Sequence, residues 1–307
     1  MTRRVAFLGP EGTYTSEAAL DVAPDAEREP LATIEEVVDA VRHGRADAGV
    51  VPIENSIEGS VNLTLDALAF GAPGAFIRAE LTRPISVNLL VKTGANLDQV
   101  REVRSQPHAL AQCRQFLAAK LPGVAVVPTT STAEAARQAA EGDGTVAALG
   151  TRLAAERYGL DVGVADAQDY AGNTTRFVVL SSRMAAATGA DKTSMVVFFG
   201  EDRPGLLLRI LDEFALRGIN LTKIESRPTK QQLGEYCIFI DAAAHPVEPR
   251  MAEALRSVHR HVAELRILGA YPRADGVASA AAPADSEPAY REAAAWYTGL
   301  LEQMDPS

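Results

Sequence analysis

The chain has 307 residues, 47% of them apolar and 6% aromatic, which is long enough for two or three domains with buried cores. Its formal net charge of −10 argues against a nucleic-acid partner, because no cationic surplus is present to neutralise phosphates. No apolar stretch has the length of a membrane span, and the first residues lack the apolar region of a signal peptide. We therefore expect no membrane partner and a cytoplasmic protein, whose two cysteines, Cys113 and Cys237, are free thiols in different domains.

The sequence contains no recognisable cofactor motif. No group of cysteines and histidines has the spacing of metal ligands. No Gly-x-Gly-x-x-Gly follows a predicted strand, so a dinucleotide is not expected either. We predict a protein that needs neither a metal nor an organic cofactor.

Strands and helices alternate in the first 180 residues. Residues 5–8 predict a strand, a loop with two glycines follows, and a helix begins at about Ser16. Thr33 and Glu36 predict a capping box for a helix that stops at Gly44, and residues 48–53 predict a buried strand.

The same order of elements recurs later in the chain. Ser131 and Glu134 predict a second capping box, Gly142 ends that helix, and residues 146–149 predict the strand. Two α/β segments of this kind favour two lobes with open, mostly parallel sheets, whose ligands bind beyond the carboxyl ends of the strands.

Three polar clusters lie where strands are predicted to begin or end. Gly9-x-x-Gly12-Thr13 joins a strand to a helix, and the helix start would favour an anion, although a plain turn explains the glycines equally well. Glu54-Asn55-Ser56 follows a buried strand; a helix cap explains Asn55 or Ser56, whereas Glu54 is a candidate proton donor. Asn173-Thr174-Thr175-Arg176-Phe177 precedes an apolar strand, and alone it is typical of a turn.

The C-terminal third has a different plan. Residues 183–193 show no periodic pattern and predict a linker. Strands are predicted at 194–199, 220–225, 236–241 and 267–271, with helices at 206–217 and 249–265, which is the βαββαβ order of ferredoxin-like folds. Residues 273–307 predict a flexible tail, in which the spacing of Trp296 and Leu300 indicates a possible short helix.

Five segments in this order resemble the prephenate dehydratase family with a C-terminal ACT regulatory domain. They are Gly9-Pro10-Glu11-Gly12-Thr13-Tyr14-Thr15, Val51-Pro52-Ile53-Glu54-Asn55-Ser56-Ile57-Glu58-Gly59, Asn173-Thr174-Thr175-Arg176-Phe177, Pro204-Gly205-Leu206-Leu207 and Glu225-Ser226-Arg227-Pro228. The resemblance implies an α/β catalytic domain over residues 1–182, two-lobed like the type II periplasmic binding proteins, and an α+β ACT domain over 194–272. Lobe one would comprise about 4–80 and 165–182, and lobe two about 84–160.

The resemblance also implies a chemistry. Members of this family convert prephenate to phenylpyruvate, water and CO₂ in phenylalanine biosynthesis. Thr175 matches the family's essential threonine, and we interpret it as the donor to the leaving hydroxyl, with Glu54 as the source of the proton and Asn55 as a further catalytic residue. The expected substrate contacts are Thr13, Ser56, Asn173, Arg176 and Phe177, although Arg176 would equally well brace the cleft through an ion pair.

Regulation by phenylalanine is implied for the ACT domain. The expected effector contacts are Gly205, Leu206, Leu207, Glu225, Ser226 and Arg227, in a homodimer or homotetramer formed through the ACT domains. The chain departs from the family pattern at Leu206, which replaces an alanine, and at Ser105-Gln106-Pro107-His108, where glutamine and histidine are exchanged. The alternatives are an arogenate dehydratase, with the same chemistry on the transaminated substrate, and a non-catalytic two-lobed amino-acid sensor.

Overall fold

A computed structural model describes residues 3–200, 203–230, 232–278 and 281–304. The chain forms two compact units, one of Met1–Gly74 with Leu81–Ser182 and the other of Ala75–Glu80 with Arg183–Ser307. Residues 75–80 therefore group with the second unit, whereas the sequence assigns them to lobe one. Within the described ranges, no helix is both long and apolar enough to cross a membrane.

The helices and strands fall into three groups along the chain. Those up to residue 84 are β1 (Arg4–Leu8), α1 (Tyr14–Val22), β2 (Glu27–Leu31), α2 (Ile34–Arg42), β3 (Ala48–Asn55), β4 (Gly59–Ser60), α3 (Asn62–Phe70) and β5 (Phe76–Pro84). Those that complete the first unit are β6 (Asn88–Lys92), β7 (Glu102–Ser105), α4 (Pro107–Gln112), α5 (Arg114–Lys120), β8 (Ala125–Pro128), α6 (Thr132–Glu141), β9 (Val146–Gly150), α7 (Arg152–Tyr158), β10 (Leu160–Val164) and β11 (Thr174–Ser181). The remainder are β12 (Asp191–Phe198), α8 (Leu206–Ala215), β13 (Leu221–Pro228), β14 (Tyr236–Ala242), α9 (Pro249–His259), β15 (Glu264–Pro272) and α10 (Glu287–Leu301).

The first unit has two sheets, one for each lobe. In lobe one the order is β11-β3-β1-β2, with β1 parallel to both neighbours and β11 antiparallel to β3. In lobe two the order is β10-β6-β9-β7-β8, with β7 parallel to its neighbours and β6 antiparallel to its own. The two lobes are confirmed, but the sheets are mixed rather than mostly parallel. The reason in lobe one is that β11 returns from lobe two and enters the sheet from the opposite end.

Helix caps set where the chain turns beside the strands. The Thr13 hydroxyl accepts a hydrogen bond from Ser16 N, so α1 begins two residues earlier than predicted. Thr33 and Glu36 form both halves of the predicted capping box. The second box is only half correct: Ser131 accepts from Glu134 N, but the Glu134 carboxylate accepts from Arg137 and Gln138 instead of reaching back.

The second unit has the predicted βαββαβ order, with the antiparallel sheet β13-β14-β12-β15 and both helices packed on it. The helix predicted to reach residue 265 ends at His259, because β15 begins at Glu264 and pairs along the whole of β12. At β15, Gly269 pairs with Ile77 of β5, and a Cβ at Gly269 would approach the Ile77 carbonyl oxygen to 2.3 Å. Glycine is therefore required for this strand pair to form. The tail contains α10, whose fifteen residues exceed the predicted short helix.

Candidate functional site

A cavity of about 750 Å³ lies in the first unit, with walls from both lobes. It opens beyond the carboxyl ends of β1 and β3, which are at the same edge of the sheet because both strands are parallel to each other. Its polar lining residues from lobe one and the returning strand are Thr13, Tyr14, Thr15, Asn55, Glu58, Ser60, Asn62, Asn173 and Thr175. Those from lobe two are Gln106, His108, Gln112, Thr130, Ser131 and Thr132.

Thr175 and Asn55 form the centre of the site. They are opposite each other in the β11–β3 ladder, so their side chains share one face of the sheet. Asn55 Nδ2 donates to Thr175 Oγ1 at 2.9 Å and to Asn173 Oδ1 at 2.7 Å. Because the Thr175 oxygen accepts from an amide, its own proton is directed elsewhere, and the side chain, only 8% exposed, lines the cavity. Thr175 can therefore donate a hydrogen bond to a bound molecule.

This amide network continues into lobe two. Asn173 Nδ2 donates to Gln112 Oε1 at 3.0 Å, and Gln112 Nε2 donates to Glu58 Oε1 at 3.3 Å. The turn that carries Glu58 is itself fixed by Asn55, whose Oδ1 accepts from the backbone of Ile57 and Glu58 at 2.9 and 3.0 Å. Gln112 and Glu58 were not predicted as site residues from the sequence. The signal for Gln112 was its i, i+4 spacing from His108 on a helix that begins at the Ser105-Gln106-Pro107 segment.

Glu54 and Arg176 lie on the opposite face of the same strand pair. Side chains alternate along a strand, so the neighbours of Asn55 and Thr175 point away from the cavity. Arg176 Nη1 donates to Glu54 Oε2 at 3.3 Å, and neither residue lines the cavity. This placement does not support Glu54 as the source of the proton or Arg176 as a substrate contact. It supports the alternative interpretation, in which Arg176 braces the strands through an ion pair.

Of the other predicted contacts, Phe177, Asn173 and Thr13 line the cavity and Ser56 does not. Ser56 is exposed, and its hydroxyl accepts from Thr174 N at 3.0 Å, which fixes the ends of β3 and β11. The Thr13 hydroxyl donates to Pro10 O and caps α1, so it holds the loop rather than pointing freely into the cavity.

Charge in the cavity is sparse. Among the described lining residues there is no lysine or arginine, and the ionisable side chains are Tyr14, Glu58 and His108. Burial, and secondarily Glu17 and Cys113, raise the pKa of Tyr14 well above its ordinary value, so this hydroxyl stays neutral and donates to Ser86 O at 2.9 Å. Helices α1 and α6 begin at the cavity wall with Thr13 and Ser131 as caps, so partial positive charge of two helix N-termini faces the cavity.

No metal centre is evident where the structure can be described: no three His, Cys, Asp or Glu side chains are grouped to hold an ion. Both cysteines are buried, and neither forms a disulfide within the described residues. Burial, together with Asp169, raises the pKa of the Cys113 thiol to about 12.

The residues predicted to bind an effector fall into two groups in the second unit. Gly205 and Leu206, with Leu207 beside them, line adjoining cavities of about 440 and 470 Å³, together with Phe199 and Arg203. Glu225, Ser226 and Arg227 lie on β13, at the edge of the sheet, and line neither cavity. The Glu225 carboxylate there lies 3.3 Å from Lys223 Nζ and 3.7 Å from Arg227 Nη1.

Comparison with known proteins bears on both units. The sequence model of prephenate dehydratase matches residues 5–185, and that of the ACT domain matches residues 194–260. A curated prephenate dehydratase of Mycolicibacterium vanbaalenii is 44% identical over 97% of this chain and 98% of its own length. The crystal structure of an Arthrobacter aurescens prephenate dehydratase in complex with L-Phe is 42% identical, covers 97% of this chain and 99% of that one, and has a TM-score of 0.89. A structure described as GqqA, a novel type of quorum quenching acylase, is 30% identical over 88% of this chain and 98% of that one, with a TM-score of 0.79.

Proposed function

Because this chain belongs to the prephenate dehydratase family, we propose that the cavity of its first unit converts prephenate to phenylpyruvate, water and CO₂. The observation that carries the proposal is the Thr175 hydroxyl, whose oxygen accepts from Asn55 at the cavity wall, so that its proton is available for donation to a substrate. The reaction belongs to phenylalanine biosynthesis, and we place the enzyme in the cytoplasm.

The proposed reaction needs no covalent bond between substrate and protein. Prephenate is a dianion; its ring carboxylate leaves as CO₂, the electron pair of the broken C–C bond moves into the ring, and the C–O bond at the opposite ring carbon breaks with its electrons on oxygen. One proton converts the departing hydroxide to water, and the product is a monoanion. The catalytic task is therefore to donate to that oxygen as its charge develops, which is the role of Thr175, while solvent restores the proton balance.

The described cavity wall contains no lysine or arginine, so we infer that neutral groups bind the carboxylates of the substrate. The N-termini of α1 and α6 supply backbone N–H groups and partial positive charge from the two lobes. Buried hydroxyls of Thr15 and Thr132, 6% and 2% exposed, stand beside those helix starts. A carboxylate held by neutral donors stays poorly solvated, which favours its loss as neutral CO₂. Asn55, Asn173 and Phe177 complete the substrate contacts.

The surroundings of Thr175 do not suit the acyl transfer that the name of the GqqA structure describes. Acyl transfer to a hydroxyl requires a base that removes its proton. In the described part of the chain, the hydrogen-bond partner of Thr175 Oγ1 is the amide of Asn55, which is a donor and cannot act as a base.

Phenylalanine is the proposed effector of the second unit, which matches the ACT domain. The structure of the Arthrobacter relative is a complex with L-Phe, which supports this choice of ligand. The cavity at Gly205 and the residues of β13 are separate in one chain, so a homodimer or homotetramer that places the β13 edge of one copy beside the Gly205 loop of another would bring them together. An exposed edge strand is suited to such pairing.

Incubation of the purified protein with prephenate tests the function directly. The absorbance of phenylpyruvate in base should rise with time, and L-phenylalanine should slow the rise without competing with prephenate. Absence of phenylpyruvate from a folded protein would refute the catalytic proposal. Competitive inhibition by phenylalanine would place the effector in the catalytic cavity and refute the regulatory one.

A further inference from the structure

One carboxylate faces the catalytic cavity, and it is covered from the other lobe. Glu58 is the sole acidic residue among the described residues that line the cavity. Its Oε2 lies 3.3 Å from His108 Nδ1, and its Oε1 accepts from Gln112 Nε2 at 3.3 Å. His108 and Gln112 are four residues apart on α4, so one face of that short helix covers both oxygens of the carboxylate.

Glu58 and His108 are, with Tyr14, the ionisable side chains among the described residues of the cavity wall. The side chains of Glu58 and His108 are 40% and 68% exposed, whereas Thr175 is buried deep in the cavity. The access of an entering substrate to the Glu58 carboxylate therefore depends on whether His108 stays in contact with it. An unmasked carboxylate would repel an anion and attract a cation.

We propose that His108, by covering Glu58, makes the cavity select a keto acid over the corresponding amino acid. The inference rests on the proposed function. Prephenate carries an α-keto group beside its side-chain carboxylate, whereas arogenate carries an α-ammonium group at that position and undergoes the same loss of CO₂ and water. An uncovered Glu58 is the one carboxylate in the described cavity wall that could pair with this ammonium. His108 is thus a specificity-determining residue, distinct from the residues that touch the departing hydroxyl.

The test measures a ratio, that of kcat/KM for arogenate to kcat/KM for prephenate. His108→Gln should raise this ratio roughly three- to tenfold. The reason is that the uncovered Glu58 would form one half-exposed ion pair with the ammonium group of arogenate and would repel the anionic prephenate. Where turnover of arogenate is too slow to measure, its inhibition constant against prephenate replaces it in the ratio. Phenylpyruvate is followed by absorbance in base, and phenylalanine by chromatography.

A second variant shows whether the effect passes through Glu58. In a Glu58→Gln background the His108→Gln change should leave the ratio within about twofold, because no charge remains to be unmasked. Two exposed positions serve as matched controls, His259→Gln on α9 and Glu156→Gln on α7, and neither should move the ratio. Thermal unfolding of each variant verifies that it is folded.

The outcomes separate this inference from the proposed function. An unchanged ratio in His108→Gln, or an equal rise in the double variant, would overturn the specificity role while leaving the prephenate activity in place. A wild-type protein that turns over neither substrate would refute the proposed function itself. A rise that disappears when Glu58 is neutral supports the assignment.

Discussion

Replacement of Thr175 by valine is the most direct test of the site. Valine keeps the shape of the side chain and removes the hydroxyl that would donate to the departing oxygen. Removal of one donor to a developing negative charge typically lowers kcat by about 10²–10³-fold. Because the hydroxyl is used in the transition state more than in substrate binding, KM should change little and kcat should carry the loss.

The structural cost of this change follows from the contacts. Thr175 Oγ1 accepts one hydrogen bond, from Asn55 Nδ2, and the same nitrogen retains its second bond to Asn173 Oδ1. In the valine variant one N–H of Asn55 Nδ2 loses its acceptor and must bind water in the cavity instead, so the free energy of unfolding should fall by about 1 kcal/mol. For a unit of this size that corresponds to a decrease in Tm of roughly 2–4 °C. The loss of activity should therefore far exceed the loss of stability.

The chain supplies a matched control in the adjacent residue. Thr174 is on the other face of β11 and does not line the cavity, so Thr174→Val should leave kcat within a few-fold of wild type. Thr175→Ser keeps a hydroxyl and should recover much of the activity. The assay is phenylpyruvate formation at saturating prephenate, with thermal unfolding measured in parallel. If folded Thr175→Val turned over at a near-normal rate, or Thr174→Val lost as much, the role assigned to Thr175 would be refuted.

Three further predictions follow from the described contacts. Glu54→Gln should leave kcat/KM within about threefold and should lower the free energy of unfolding by about 0.2–1 kcal/mol, because the ion pair with Arg176 is weakened. Steady-state kinetics and denaturant unfolding measure the two effects, and a large fall in kcat would show that Glu54 has a catalytic role. Above pH 9 the Cys113 thiol ionises in the unfolded chain but keeps its proton in the folded chain until about pH 12, so the free energy of unfolding should fall by at most about 1.4 kcal/mol per pH unit. Tm should therefore fall less steeply with pH in Cys113→Ala than in the wild type, and identical slopes would contradict the raised pKa. Gly205→Ala places a side chain at φ +83°, and the strain of that backbone conformation costs about 1 kcal/mol or more. Inhibition should then require roughly fivefold more phenylalanine at unchanged kcat, and equal inhibition curves would exclude this loop from the effector site.

The sequence placed the polar clusters at strand ends, and the family resemblance assigned them to one site, but neither showed which side chains face the cavity. Asn55 and Thr175 come together because β3 and β11 pair where the sequence analysis expected two strand ends. Glu54 and Asn55 could not both face the cavity, since the period of a strand is two, and that constraint follows from their adjacency in the sequence. The choice between them required the register of β11 against β3, which depends on residues far apart in the chain.

Other parts of the site lay beyond sequence reasoning. Glu58 is in a turn, where no periodicity predicts the direction of a side chain. Strand β5 was not predicted, because one of its pairing partners, Gly269 of β15, is near the other end of the chain and only tertiary structure brings the two together. Local signals such as the Thr33–Glu36 capping box were predicted correctly because both partners lie within one helical turn.

The assignment of residues 75–80 to the second unit has a consequence for how an effector can act. The backbone passes between the two units three times, after residues 74, 80 and 182, instead of once as a simple linker would. The middle crossing lies within β5, and the chain continues from it through Pro84 directly to Ile85 and Val87, which line the catalytic cavity. Ile77, which pairs with Gly269 of β15, is thus eight residues before Ile85 of the cavity wall. All the residues between them belong to β5. The proposed regulation would therefore have a second covalent connection to the cavity wall, through β5, besides the one at residues 183–190.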